Sequence, residues 1–305
     1  MCEWNLRKCK KIEIKRNTLN LNFFGLRGKL RKKAYLLTLK NYLSPHNYCH
    51  RKTYLLKSHY QITKRTGIKM SKFVNVSEEV KKLDIEFSCG ELEVLTGENF
   101  SVSIEGEDTD KIIIEEQGDL LKIYDERKVT KVKTKHLFFR KSVESESCHI
   151  TIKVPDGKSF DKIHLHTGAV EVRAKDLMTA ILIMKMGVGD VEINSLEVTN
   201  YGKVSVGTGD VEIHSGCLND MDMSFGVGEA DIRAKFTGAT KISAGVGELS
   251  VDLQGEVSDY CVTASKGIGS VSVEGMDVSG DNTYGFGANE VNVSGGVGAI
   301  NIRLV

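Results

Sequence analysis

The sequence of 305 residues predicts an all-β chain, a parallel β-solenoid with about 20 residues per coil. Three observations predict it. First, a glycine-led heptad recurs: GVGDVEI at 187–193, GTGDVEI at 207–213, GVGEADI at 226–232. Aligned on the second glycine, the equivalents stand at Gly168, Gly189, Gly209, Gly228, Gly247, Gly269, Gly287 and Gly298, and subtraction gives intervals of 21, 20, 19, 19, 22, 18 and 11. Second, the letters after each glycine alternate. Val191 and Ile193, Val211 and Ile213, and Ala230 and Ile232 share one phase, while their acidic neighbours share the other, the period of a strand with one dry and one wet face. Third, no window after residue 70 holds a long 3.6-residue period, so helix is nearly excluded there.

A period near twenty is the mark of a repeat array. Four-stranded propeller blades need longer units, and the leucine and asparagine signature of leucine-rich repeats is missing. One coil of a solenoid fits, each burying its Val, Ile and Leu on its neighbour. A second apolar run in each unit, such as Val204 and Val206 or Met221, Met223 and Phe225, supplies the other strands. The GxG pair reads as a corner preceding a strand. A phosphate-binding loop would instead follow a strand and open a helix.

Charge divides the chain. Residues 1–69 hold 18 Lys and Arg against Glu3 and Glu13; the totals of 42 and 41 leave 24 basic and 39 acidic residues for 70–305, so the parts carry +16 and −15. Three readings compete for the basic segment: an arm for nucleic acid or anionic membrane, a solvated tail, or a stretch not natively translated. The last is favoured, with translation starting at Met70 in MSKFVNVSEEVKKLDIEF, where composition switches. No apolar run there reaches the length of a signal-peptide core or a membrane span.

The solenoid domain then covers 70–305, irregular over 70–155 and regular over 156–305. LDIEFSCGELEVL places Leu83, Ile85, Phe87 and Cys89 inside and already contains a corner, CGELEV. Further strands are predicted at Phe100–Ile104, Lys111–Glu115, Leu120–Tyr124 and Cys148–Val154. Between the last two lies ERKVTKVKTKHLFFRKSVESES, residues 126–147, read as an exposed loop or hairpin with seven basic residues from Arg127 to Lys141. The closing stretch, Gly295 to Val305, counts as half a unit. Its open end needs capping by chain or by a partner, which leaves room for end-to-end or edge self-association.

The LLKIYDE strand, the charged excursion, the proline-ended strand HITIKVPDG and the copies of GxG[DE]xxI come in an order that resembles the bacterial putative-adhesin domain of unknown function. This is a β-strand-repeat family related to head-domain auto-transporter adhesins. The resemblance covers about residues 80–305. It implies a right-handed single-stranded β-helix in a bacterial protein and brings no catalytic residue.

Enzymatic function is disfavoured on the residues. A glycosidase needs two carboxylates facing each other across a bond, whereas these lie in parallel rows, and no tryptophan follows Ile150. His164 and His166 share a strand face but lack a third ligand for zinc. Seven cysteines without a CxxC, at 2, 9, 49, 89, 148, 217 and 261, favour a reducing compartment, with Cys89 and Cys148 as small buried residues. The expected location is therefore cytoplasmic, with the cell surface by unconventional export as the alternative. The expected function is a non-enzymatic scaffold or interaction module for a protein or polymer partner, without specific nucleic-acid binding. The alternatives are a cell-surface adhesin binding an extracellular polymer and a carbohydrate-active β-helix enzyme.

One surface stands out as a candidate site. Asp190 and Glu192, Asp210 and Glu212, and Glu229 and Asp231 should form two outward columns, with Glu248 extending one. At about 4.8 Å between coils, each stacked pair repels by about 0.9 kcal/mol in a water-like dielectric. Weak calcium or a cationic polymer would relieve it, calcium because it accepts six to eight oxygens in irregular geometry.

Overall fold

The computed structural model of the chain describes residues 62–63, 69–127, 148–277 and 282–305. Among the described residues the protein is all-β, with no α-helix and two 3₁₀ turns, Thr109–Lys111 and Val257–Asp259. The strands are β1 (Ile62–Thr63), β2 (Lys69–Asn75), β3 (Lys82–Gly97), β4 (Ser101–Gly106), β5 (Ile112–Gln117), β6 (Leu120–Asp125), β7 (Cys148–Pro155) and β8 (Ser159–Val188). There follow β9 (Val191–Thr208), β10 (Val211–Ile213), β11 (Gly216–Asn219), β12 (Met221–Thr237), β13 (Ala239–Leu253), β14 (Tyr260–Val273), β15 (Met276–Asp277), β16 (Asn282–Tyr284) and β17 (Asn289–Leu304). The four strands expected between 100 and 154 all appear, displaced by one or two residues at their ends.

Successive repeats pair in parallel and in register. Val172 lies beside Val191, Val191 beside Val211, Val211 beside Ala230, and Ala230 beside Leu249. All five are buried, and the burial of β8, β9 and β12, which alternates between the corners and breaks at them, confirms the inside phase read from the letters. The corner glycines allow this spacing. Gly228 has φ +140°, and a Cβ there would lie 2.1 Å from the carbonyl oxygen of Gly209, one layer below. A side chain at this place would drive the layers apart.

Two expectations fail at the C-terminal end. Strand β14 does not stack on β13. Instead β17 lies between them, Gly298 pairing with Gly247 on one side and Gly269 on the other. The unit read as the last and as half a coil is therefore a complete strand inserted into a slot. Gly287, expected to be a corner, belongs to no glycine column: its N–H donates to Tyr260 O at 2.9 Å, in the loop that leads back into the slot. Local letters could not show this, because GFGANEV and GVGAINI match the same pattern. Tyr260, 1% exposed, braces the chain as it skips a layer: its hydroxyl donates to Gln254 O at 2.6 Å and accepts from Phe236 N at 3.3 Å. The outer side of β14 is partly covered by antiparallel β15 and β16.

The other end mirrors this arrangement. Strand β3 is held between β8 on one side and β6 and β7 on the other, all parallel to it, although β6 and β7 intervene between β3 and β8 in the chain. Antiparallel β5 covers β6, β4 covers β7, β2 covers β4 and β1 pairs with β2. These strands, apart from β1, β8 and the first residue of β2, fall in the stretch read from the sequence as irregular, 70–155. The boundary proposed at Met70 falls inside β2, where Met70 pairs with Ile62; residues 1–61 lie outside the described residues.

Cys89, expected inside, is only half-buried, because the strand bends at Gly90 (φ +133°) and the alternation shifts phase there. Cys148 is fully buried, and burial pushes its thiol up to about 11. Arg127 also departs from expectation. It is no solvated loop residue: its side chain is 10% exposed and pairs at 2.7 Å with Asp125, which is 1% exposed. The guanidinium donates to Cys89 O at 2.7 Å and lies over the Phe87 ring, while Asp125 accepts from Ser88 N at 3.2 Å. The pair thus satisfies backbone groups at the corner of β3 that a further layer would otherwise bond. The rest of the basic excursion, 128–147, lies outside the described residues.

These contacts have measurable consequences. Gly228→Ala should lower stability by roughly 3 kcal/mol or more, since it combines a forbidden φ with a backbone clash. Gly118→Ala, at φ +64° with open space around it, should cost about 1 kcal/mol in the same denaturant titration. Arg127→Ala should cost about 3 to 5 kcal/mol by leaving Asp125 buried and unpaired. Burial opposes ionisation of Asp125, but the hydrogen bonds and charge of Arg127 outweigh it and hold the carboxyl below its ordinary value. The stabilisation is therefore complete above the ordinary carboxylate range and is lost as pH falls through the depressed value. Melting temperature against pH should show a shallower acid-side fall in Asp125→Asn than in the native chain.

Candidate functional site

Outward positions of the strands that follow the corners form two rows. Glu192, Glu212 and Asp231 stand side by side in consecutive layers, and Glu229 is beside Glu248. Asp190 and Asp210 occupy the row of Glu229, one residue before Val191 and Val211. All seven residues singled out in the sequence are exposed and on one face. The register adds members that the regular heptads did not reveal. Glu91 pairs with Glu171 and with His149, which pairs with Glu105, so the first row continues into the irregular half. Glu93 pairs with Arg173 at the start of the second row. The CGELEV and TGAVEV corners were the available signal for Glu91, Glu93 and Glu171; Glu105 lies on an antiparallel strand and carries no repeat letter.

The two rows differ in chemistry. In the first, the Asp190 carboxylate accepts a hydrogen bond from Asp210 N at 3.0 Å, and the Asp210 carboxylate accepts one from Glu229 N at 2.9 Å. Glu residues reach past this position; Asp is short enough to bond the next layer's amide. These two acids are thus engaged in holding the corners. Glu248 accepts from Asn301 Nδ2 at 3.0 Å.

In the second row the acids face solvent and are partly neutralised by neighbours. Arg173 contacts Glu171 and lies 3.6 Å from Glu192, and His214 Nε2 stands 3.8 Å from both Glu192 and Glu212. Two residues further along the strands, beside Arg233, Asp252 is bonded by Arg303 at 2.8 Å. Two shallow depressions follow this row, one of about 200 Å³ between Glu171, Arg173, Asp190, Glu192, Asp210 and Glu212, the other of about 490 Å³ between Glu212, His214, Asp231, Arg233, Asp252 and Arg303. Among the described residues no group of three or more His, Cys, Asp or Glu is arranged to hold a metal ion. His164 lies 2.8 Å from Asp84, and His166 is exposed on the same face without converging ligands.

Among known families, the toastrack DUF4097 model matches residues 80–291 of this chain. The chain belongs to the toastrack DUF4097 family. No curated protein matches this family member. It is similar to a solved structure of a putative cell adhesion protein from Clostridium sporogenes, at 22% identity and TM-score 0.37 over 78% of this chain and all of that one. A putative adhesin from Bacteroides fragilis matches at 16% identity and TM-score 0.38, covering 78% and 98% of the two chains. A putative lipid binding protein from Parabacteroides distasonis matches at 14% and 0.32, covering 78% and 96%.

The division of labour between the rows has a measurable consequence. Asp210→Ala should cost about 1 kcal/mol by removing an acceptor from Glu229 N. Asp210→Asn, which keeps an acceptor oxygen, should cost less, and Glu212→Gln should be neutral or slightly stabilising in thermal unfolding.

Proposed function

We propose that this toastrack domain is a non-enzymatic scaffold, a right-handed single-stranded β-solenoid of about 20 residues per coil, whose acidic face receives a basic protein or cationic polymer. The observation that carries the reading is the stack of Glu192, Glu212 and Asp231, in register and exposed on three adjacent layers. Carboxylates spaced by about 4.8 Å along a flat face match a partner with charges repeated along its length. They lie beside one another rather than across a cleft, which speaks against paired acid and base chemistry. The free thiols of Cys89, Cys148, Cys217 and Cys261 support a reducing, cytoplasmic setting for this scaffold.

Polylysine binding to the full chain tests the reading. Replacing Glu192 and Glu212 by Gln and Asp231 by Asn should weaken binding roughly tenfold at low salt, and added salt should weaken the native interaction. Equal affinity in the triple variant would remove the acidic face from the proposal. A calcium arm runs in parallel: a rise in melting temperature with millimolar calcium at constant ionic strength, abolished in the same variant, would identify a divalent cation as the occupant.

A further inference from the structure

A second surface runs along the corner of the stack, separate from the acidic face. Val188, Thr208, Val227, Val246, Val297 and Ile268 are paired in one register column, six layers in their spatial order. The apolar members are 54%, 50%, 49%, 48% and 76% exposed (Val188, Val227, Val246, Val297 and Ile268), whereas Met186, Val206 and Phe225, two residues before Val188, Thr208 and Val227, are buried. Single exposed valines are ordinary, but a column is not: these side chains present on the order of 400 Å² of contiguous apolar surface, a size that marks interaction sites. Each is bracketed by glycines, as Gly226 and Gly228 bracket Val227, and Gly245 and Gly247 bracket Val246. The column is therefore a ridge about 24 Å long standing between two side-chain-free troughs.

We infer that this ridge is a homodimer interface, occupied by the same ridge of a second copy of the chain. Spacing favours a like partner. Another stack repeats every 4.8 Å and stays in step along all six layers, whereas a helix repeats every 5.4 Å and drifts by about 3 Å over five intervals, more than half a layer. Shape favours it as well, because the troughs beside one ridge have the width freed by glycine for the ridge of the other. Charge then selects the symmetry. On one side of the ridge runs the acid row of Asp210, Glu229 and Glu248; on the other runs a column without acids, in which Lys185, Ser205, Ser224, Ser243, Ser294 and Ser265 pair in register. A twofold axis parallel to the stack sets each acid row on the side of the partner's serine column. An axis across the ridge would bring acid row against acid row, at a cost that rises at low salt. The interface is then isologous, every layer facing its own copy. The ridge supplies about half of the roughly 800 Å² per partner of a standard interface, so the dimer is reversible.

Sedimentation velocity of the full chain over micromolar to submillimolar concentration should show a monomer–dimer equilibrium. Val227→Glu with Val246→Glu should raise the dissociation constant roughly tenfold or more, with the melting temperature of the monomer little changed, since both side chains point to solvent. Because a charged ridge could still disturb the corner, Val227→Cys and Val297→Cys serve as conservative single variants. Under mild oxidation each should give a dimer whose linked peptides join residue 227 to 227 or 297 to 297. A monomer at all concentrations, a dimer indifferent to the two glutamates, or failure of either cysteine to link to its own copy would overturn the proposal.

Discussion

The closeness of backbone to backbone at the corners is the constraint on which the rest of the structure depends. At Gly209, Gly228, Gly247 and Gly298 the space a Cβ would fill is occupied by the carbonyl oxygen of the layer below, at 1.7 to 2.1 Å. Only glycine permits this approach, and only glycine tolerates the positive φ that accompanies it. With the corners pinned, the strands on either side keep their register, and alternation sorts the side chains: Val, Ile and Leu into one continuous core, acids, serines and lysines outward. The same absence of side chains leaves the intervening valines standing proud.

An array so built has a problem at each end, where the last layer's backbone has no partner. Both ends solve it by taking strands out of chain order. Strand β3 is enclosed between β8 and the later-passing β6 and β7, and β17 enters between β13 and β14. The outermost strands are then covered by antiparallel ones, which unlike another parallel layer need no further layer of the same shape. Asp125 and Arg127 act on a smaller scale in the same way, their side chains bonding Ser88 N and Cys89 O where the array of corners stops. Enclosure also means that the two chain-terminal layers of the core contact neighbours on both sides, so neither is a fraying edge.

Electrostatics on the outer faces follows from register rather than from fold. Stacking identical units places like charges side by side, and the molecule meets that repulsion in two ways. Asp190 and Asp210 turn their carboxylates to amides of the adjacent layer, while Glu192 and Glu212 share His214 and Glu192 also has Arg173 nearby. The former converts charge into corner stability. The latter leaves charge accessible to solvent.

The letters alone determined the all-β class, the repeat, the buried phase of Val191, Ile193, Val211 and Ile213, and the common face of the seven acids, because each depends on period and on neighbours within about twenty residues. What they could not determine was which repeat lies beside which. Gly287 and Gly298 look alike in sequence, yet one sits in a return loop and the other in a slot between strands some fifty and some thirty residues earlier, since stacking energy is satisfied by any copy with the right pattern. The burial of Arg127 was equally invisible: a basic residue in a basic run reads as solvated until the tertiary structure places Asp125, Phe87 and Cys89 O around it. Cys89 fell on the wrong side for a related reason, as strict alternation fails where the backbone turns. Periodicity is a property of the chain, but adjacency is decided by the competition among layers, and that is settled only in three dimensions.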